Sequence, residues 1–190
     1  MSFFRCLPGA DALSAFRQQR LLSLLATQGI ELSSITAQYL HFVWSEQELS
    51  ANQVSTLQAL LQYGEPFATT KATHSVIVIP RFGTVSPWAS KATDIARQCG
   101  LEVLRIERGV RYQWTSKKNL NPAQEQILET ALFDRMTEVI VTAENDVHAL
   151  YQTLPDRPFT RIDVMGQGKA ALEHANQSLG LALSADEIGY

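Results

Sequence analysis

The chain has 190 residues, 16 basic and 19 acidic side chains, a formal charge of −3 and 45 % apolar residues. This is the composition of an ordinary globular domain, too apolar for disorder, and no apolar run approaches the roughly 18–20 residues that cross a bilayer. The weak acidity, with no basic stripe, argues against nucleic acid, and the distant Cys6 and Cys99 form neither a disulfide framework nor a metal pair. Residues 1–9 are too short and too polar for a secretory signal. A cytoplasmic protein with no membrane association is the expectation.

Residues 2–6 read as a short strand broken by Leu7-Pro8-Gly9. A helix is predicted over 10–28, with Leu13, Phe16, Leu21, Leu24 and Leu25 on one face and Gly29 as its stop. Residues 34–44 are rich in β-branched and aromatic side chains and predict a strand. Helical spacing returns over 50–63 through Val54, Leu57, Leu60 and Leu61. The apolar run at 74–79 predicts a central strand that Pro80 ends. Ser86-Pro87 then opens a helix with good start chemistry, serine as the cap and proline at the first turn. Its buried stripe is predicted as Trp88, Ala92, Ile95, Ala96 and Cys99.

Residues 101–115 read as a strand in which Gly109 marks a bulge or a turn. Asn121-Pro122 opens another helix, whose core face is Ile127, Leu128, Ala131, Leu132 and Met136. Residues 138–142 predict a last short strand, and 143–154 a short helix. Pro155 and Pro158 flank a linker-like stretch, and 161–165 read as a strand. Gly166-Gln167-Gly168 leads into a helix over 169–178. Ser184 and Glu187 form a capping box opening a helix that has only three more residues to Tyr190, too short to be stable by itself, so the end of the chain reads as a cut edge. No sequence repeat stands out. The expected fold is α+β, an antiparallel or mixed sheet with helices on one face, with a doubly wound parallel sheet as the alternative. The expected domains are 1–145 and a partial helical domain over 146–190.

The densest cluster of unusual residues is Pro80-Arg81-Phe82-Gly83-Thr84-Val85-Ser86-Pro87-Trp88-Ala89-Ser90-Lys91. A helix start attracts anions, and Arg81, Lys91 and three hydroxyls surround it. The segment reads as a phosphate or carboxylate site, as a docking loop, or as plain capping chemistry around a buried Trp88. Gly166-x-Gly168-Lys169 lacks the third glycine and the acidic residue of a dinucleotide site. His41, His74, His148 and His174 show no metal spacing. Glu107 reads as a surface partner of Arg105 or Arg108. No complete catalytic constellation is present.

The 80–96 segment is similar to the N-terminal signature of phosphoribosylformylglycinamidine synthase of the large single-chain type. So are Cys99-Gly100-Leu101, Arg105-Ile106-Glu107-Arg108-Gly109, Leu13-Ser14-Ala15-Phe16-Arg17, Asp134-Arg135-Met136-Thr137-Glu138, Gly166-Gln167-Gly168-Lys169-Ala170-Ala171-Leu172 and the 179–188 tail. The pattern departs at Phe82, where a proline is expected.

The resemblance implies a glutamine-dependent, ATP-consuming ligase of purine biosynthesis. That ligase converts formylglycinamide ribonucleotide to formylglycinamidine ribonucleotide. It further implies that catalysis, ATP and Mg²⁺ belong to synthetase and glutaminase domains outside these residues. No catalytic, cofactor or metal residue is therefore assigned here. What remains is a domain like a dimer of the small accessory subunit of multi-subunit versions, which scaffolds the enzyme and helps shape its ammonia route. Arg81, Thr84, Ser86, Trp88 and Lys91 are the candidate interdomain contacts. A stand-alone module docking on a separate synthetase subunit is the alternative, and a small phosphate-binding enzyme ranks below both.

Overall fold

The computed structural model describes residues 2–69, 71–116, 118–152, 159 and 161–190. Five strands, β1 (Phe3–Asp11), β2 (Leu32–Ser45), β3 (His74–Pro80), β4 (Val103–Ser116) and β5 (Glu138–Val141), alternate with four helices, α1 (Ala15–Thr27), α2 (Ala51–Leu60), α3 (Pro87–Gln98) and α4 (Pro122–Leu132). The sheet order is β1-β2-β4-β3-β5, and every neighbouring pair is antiparallel. The fold is α+β, and the doubly wound alternative is excluded. The two 14-residue strands β2 and β4 form its spine.

Alternation along the strands divides the core. Ile35 and Val43 of β2, Val76 of β3, and Ile106 and Trp114 of β4 share clusters with side chains of α1 to α4. Leu40, Phe42, Trp44, Ile77 and Ile79 belong to another cluster, packed against Val147 and Leu150 of a 3₁₀ turn, Glu144–Leu150. Each large side chain fully buried in this way contributes about 1.5–3 kcal/mol.

Several expectations need correction. β1 runs on through Pro8 and Gly9, because an edge strand tolerates a proline without losing a ladder bond. Gly9 is there because a Cβ would lie 2.5 Å from Cε1 of His41. Gly109 makes no bulge. It pairs with Leu40 inside an unbroken strand, and a Cβ would lie 2.8 Å from both Phe42 Cε2 and the Val78 carbonyl oxygen.

The buried stripe of α3 is Ala89, Thr93 and Ala96, whereas Ile95 and Cys99 are exposed, so the helix is rotated from the predicted phase. Met136 is exposed in a turn after α4. Residues 161–165 contain no strand. Val164 instead begins a short helix, α5 (Val164–Gln167), capped by Asp163, whose Oδ1 accepts from the Gly166 N–H at 2.9 Å. The linker prolines Pro155 and Pro158 lie outside the described residues.

The chain divides into two compact units, Met1–Leu154 and Pro155–Tyr190, so the 3₁₀ turn belongs to the first. The second contains α5, α6 (Lys169–Leu179) and α7 (Ala185–Gly189). Gly180 in the left-handed region closes α6, and the Ser184–Glu187 capping box opens α7.

The first unit contains an internal duplication. Residues in its two halves correspond at an offset of 71, as the starts of β2 and β4 (Leu32, Val103) and of α2 and α4 (Ala51, Pro122) show. Gly29 and Gly100, both at positive φ, follow the first helix of each half. Ser50 and Asn121 cap the second helices, each in a capping box with a glutamine, Gln53 or Gln124. Leu57 matches Leu128, and Leu61 matches Leu132, all buried. The helices pair across the halves: α2 shares a cluster with α3, and α1 shares one with α4.

Candidate functional site

The β3–α3 loop carries the predicted contact residues, and two hydrogen bonds shape it. The Thr84 hydroxyl donates to the Arg81 carbonyl at 2.6 Å, and the Arg81 guanidinium donates to the Met136 carbonyl at 3.3 Å. The Ser86 side chain caps α3 by accepting from the Ala89 N–H at 3.0 Å, which satisfies one of the donors a helix start leaves open. The same hydroxyl donates to Glu107 Oε1 at 2.6 Å. Glu107, on β4, is fully buried.

Glu107 is the residue that sequence reasoning misplaced. Its carboxylate pairs with Arg105 at 2.7 Å and accepts from the backbone N–H of Arg108 at 3.0 Å. Arg105 in turn donates to the carbonyls of Thr84 and Leu150, each at 2.8 Å. One buried ion pair therefore ties together the loop, the start of α3, β4 and the end of the 3₁₀ turn. Arg105 was one of the two partners legible for Glu107, but the burial was not, because the turn that covers this sheet face comes some 40 residues later. The arrangement bears on the anion reading. The positive end of α3 already faces an internal carboxylate, which repels a second anion.

On the helix-bearing face, Trp88 stands over a second group of residues that the sequence did not single out. The Arg108 guanidinium lies 4.5 Å from the Tyr39 ring centre and 4.8 Å from that of Trp88. It donates to the Tyr63 hydroxyl at 3.2 Å. His41 stacks on Trp88 and bonds the same hydroxyl through Nε2 at 2.7 Å. Burial, and then the Arg108 charge, push the His41 imidazole down to about 4, so it is neutral at physiological pH. Burial likewise raises the Tyr63 phenol, against the opposing pull of Arg108.

Two clefts adjoin this group. One of about 550 Å³ lies between Leu7–Ala10 of β1 and the end of α2, and reaches Tyr63 and Phe67. The other, about 270 Å³ and mostly apolar, lies between α2 and α3, with Trp88 and Lys91 among its walls. Arg81, Thr84 and Ser86 are engaged in the loop, whereas Trp88 and Lys91 face the α2–α3 cleft. No group of three or more His, Cys, Asp or Glu placed to hold a metal occurs among the described residues. No described helix is long and apolar enough to cross a membrane.

A family model described as "Formylglycinamide ribonucleotide amidotransferase N-terminal" matches residues 38–151. The chain belongs to this family. The matched stretch starts inside β2 and ends just after the 3₁₀ turn, so it takes in the loop, the Arg105–Glu107 pair and the Arg108 aromatic group. Formylglycinamide ribonucleotide amidotransferase is another description of phosphoribosylformylglycinamidine synthase, so the family match agrees with the resemblance read from the 80–96 segment. The family is the N-terminal part of an amidotransferase of purine biosynthesis.

Proposed function

We propose that this chain is the N-terminal scaffolding region of the amidotransferase, docking its synthetase and glutaminase domains and helping to enclose the ammonia route between them. The observation that carries the reading is the family match over residues 38–151, which spans most of the first compact unit. The internal duplication supports the likeness to two joined copies of a small accessory subunit. The site chemistry supports a role without catalysis of its own. Glu107 and Arg105 are locked to each other, His41 is held neutral, and the polar groups of the 81–86 loop serve the loop itself. In the complete enzyme glutamine supplies ammonia and ATP activates the amide of formylglycinamide ribonucleotide. The reading assigns no ATP or Mg²⁺ ligand to this chain. Arg81, Thr84, Ser86, Trp88 and Lys91 are its proposed contact residues, with Trp88 and Lys91 touching the partner and the other three holding the loop.

The test separates docking from chemistry. The purified chain is expected to hydrolyse neither glutamine nor ATP. The separately produced synthetase and glutaminase portions are expected to make product from added ammonium but poorly from glutamine, and adding the chain should restore the glutamine-dependent rate. Glutamine turnover by the chain alone, or no effect of adding it, would reject the proposal.

A further inference from the structure

The duplication provides an internal control for the α2–α3 cleft. On α1, Leu21, Leu22 and Leu25 pack in one core cluster with Leu128 and Leu132 of α4. At the offset of 71, the counterparts of Leu21 and Leu25 are Ala92 and Ala96 of α3, which pack in one cluster with Leu57 of α2 and Leu61 at its end, while Thr93, the counterpart of Leu22, turns to β4 and accepts from the Ile106 N–H at 2.9 Å. The exchanges at 92 and 96 each replace a leucine by an alanine, and both alanines line the cleft of about 270 Å³. Natural interiors rarely leave such apolar space open, since its lining forgoes dispersion contacts and apolar burial.

The rim supports the same conclusion. Ile95 is 52 % exposed and Leu60 38 % exposed beside the cleft. Helix α2 carries no charged residue, so nothing on that side opposes an apolar partner. Lys91 is the one charged side chain in the lining.

We infer that the α2–α3 cleft is the seat for an apolar knob, one or two leucine-sized side chains on an amphipathic segment of the docking domains, whose flanking carboxylate meets Lys91. The inference rests on the proposed docking role and names the place where docking occurs. The α1–α4 interface shows the seat in its filled form, with the leucines supplied from within the chain. At the α2–α3 interface they come from outside, and a desolvated apolar centre with a polar rim is the usual anatomy of a binding hot spot. Lys91 fixes the sign of the partner charge.

The test measures binding of the 190-residue chain to the synthetase and glutaminase portions by titration calorimetry, using matched variants. Ile95→Glu places a charge at the cleft. Leu24→Glu places the same charge at the corresponding exposed position of α1, outside the cleft, where Leu24 is 50 % exposed. Ala92→Leu fills the cleft from within, and its melting temperature shows whether the fold survives. The expected result is at least about tenfold weaker binding for Ile95→Glu and for Ala92→Leu, with an unchanged or higher melting temperature for the latter. Leu24→Glu should bind like the parent chain. Lys91→Glu should weaken binding and Lys91→Arg should restore it.

Equal binding by Ile95→Glu and Leu24→Glu would overturn the assignment of the cleft and leave the docking role standing. No binding by the parent chain would overturn both. Self-association of the chain that Ile95→Glu abolishes, seen by sedimentation, would show the occupant to be a second copy and reject the partner named here.

Discussion

Glu107 shows what a single side chain can hold in place. Removing its carboxylate leaves Arg105, only 12 % exposed, as an uncompensated charge and takes a partner from the Ser86 cap. Breaking a buried pair in this way costs about 3–5 kcal/mol. Glu107→Ala is therefore expected to lower stability to urea by that order, and Glu107→Gln by less, because the amide still accepts from Ser86 and from the Arg108 N–H. His41 makes a pH prediction. Its folded value of about 4 lies below the ordinary 6.5, so the unfolded chain binds the extra proton between those values. Stability is fully present above pH 6.5 and falls by up to about 3 kcal/mol as pH drops to 4. His41→Phe should flatten that part of the stability profile. The thiols differ sharply. Burial, then the Glu144 charge, push the half-buried Cys6 up to about 12, whereas Cys99 is exposed. A thiol reagent at pH 8 should label one cysteine quickly and the second only on unfolding.

Local chemistry decided how much of each element could be read in advance. The starts of α3 and α4 were legible because Ser86 and Asn121, each followed by proline, act on donors three residues away, and α2, read from its apolar spacing, is capped by Ser50 in the same way. The phase of α3 was not legible, because its most apolar residue, Ile95, is left 52 % exposed, while the polar Thr93 is buried by bonding its hydroxyl to the Ala89 carbonyl and the Ile106 N–H. The extent of β1 through Pro8 depended on its lying at the edge of the sheet, a non-local fact. The role of Gly109 depended on Phe42 and Val78 of neighbouring strands. In the candidate site, the loop and Trp88 were legible from composition, while Tyr63, His41 and Arg108 come from three separate elements and meet only after folding. The duplication was hidden because its two copies keep caps, glycines and the leucines of the second helices but exchange the core side chains of the first, Leu21 against Ala92 and Leu25 against Ala96. It makes a prediction of its own. Gly29 and Gly100 sit at φ of 75° and 78° with open space where a Cβ would go. Gly29→Ala and Gly100→Ala should therefore each cost about 1–2 kcal/mol in thermal melts, and by similar amounts, whereas Gly109→Ala should cost more because it collides with Phe42 and Val78.

At the scale of the whole molecule, the first compact unit contains the sheet, helices α1 to α4 and the 3₁₀ turn, and hydrogen bonds such as that from Arg105 to the Leu150 carbonyl close it within itself. A chain stopped after Gln152 should keep the urea midpoint of the full 190 residues. The pairing of β2 with β4 runs almost unbroken from Leu32 with Ser116 to Ser45 with Val103. Its partners lie far apart in sequence, and each half's helices find their packing partners in the other half. Neither half can bury its apolar faces alone, so the chain has no early stopping point during folding. Closing the loop between β2 and β4 comes before the contacts between the halves, the long β2–β4 ladder and both helix pairings, which makes the barrier entropic and the rate slow for a domain of this size. Stopped-flow refolding should show one cooperative phase with no half-folded species, and separately produced halves should gain structure only when mixed.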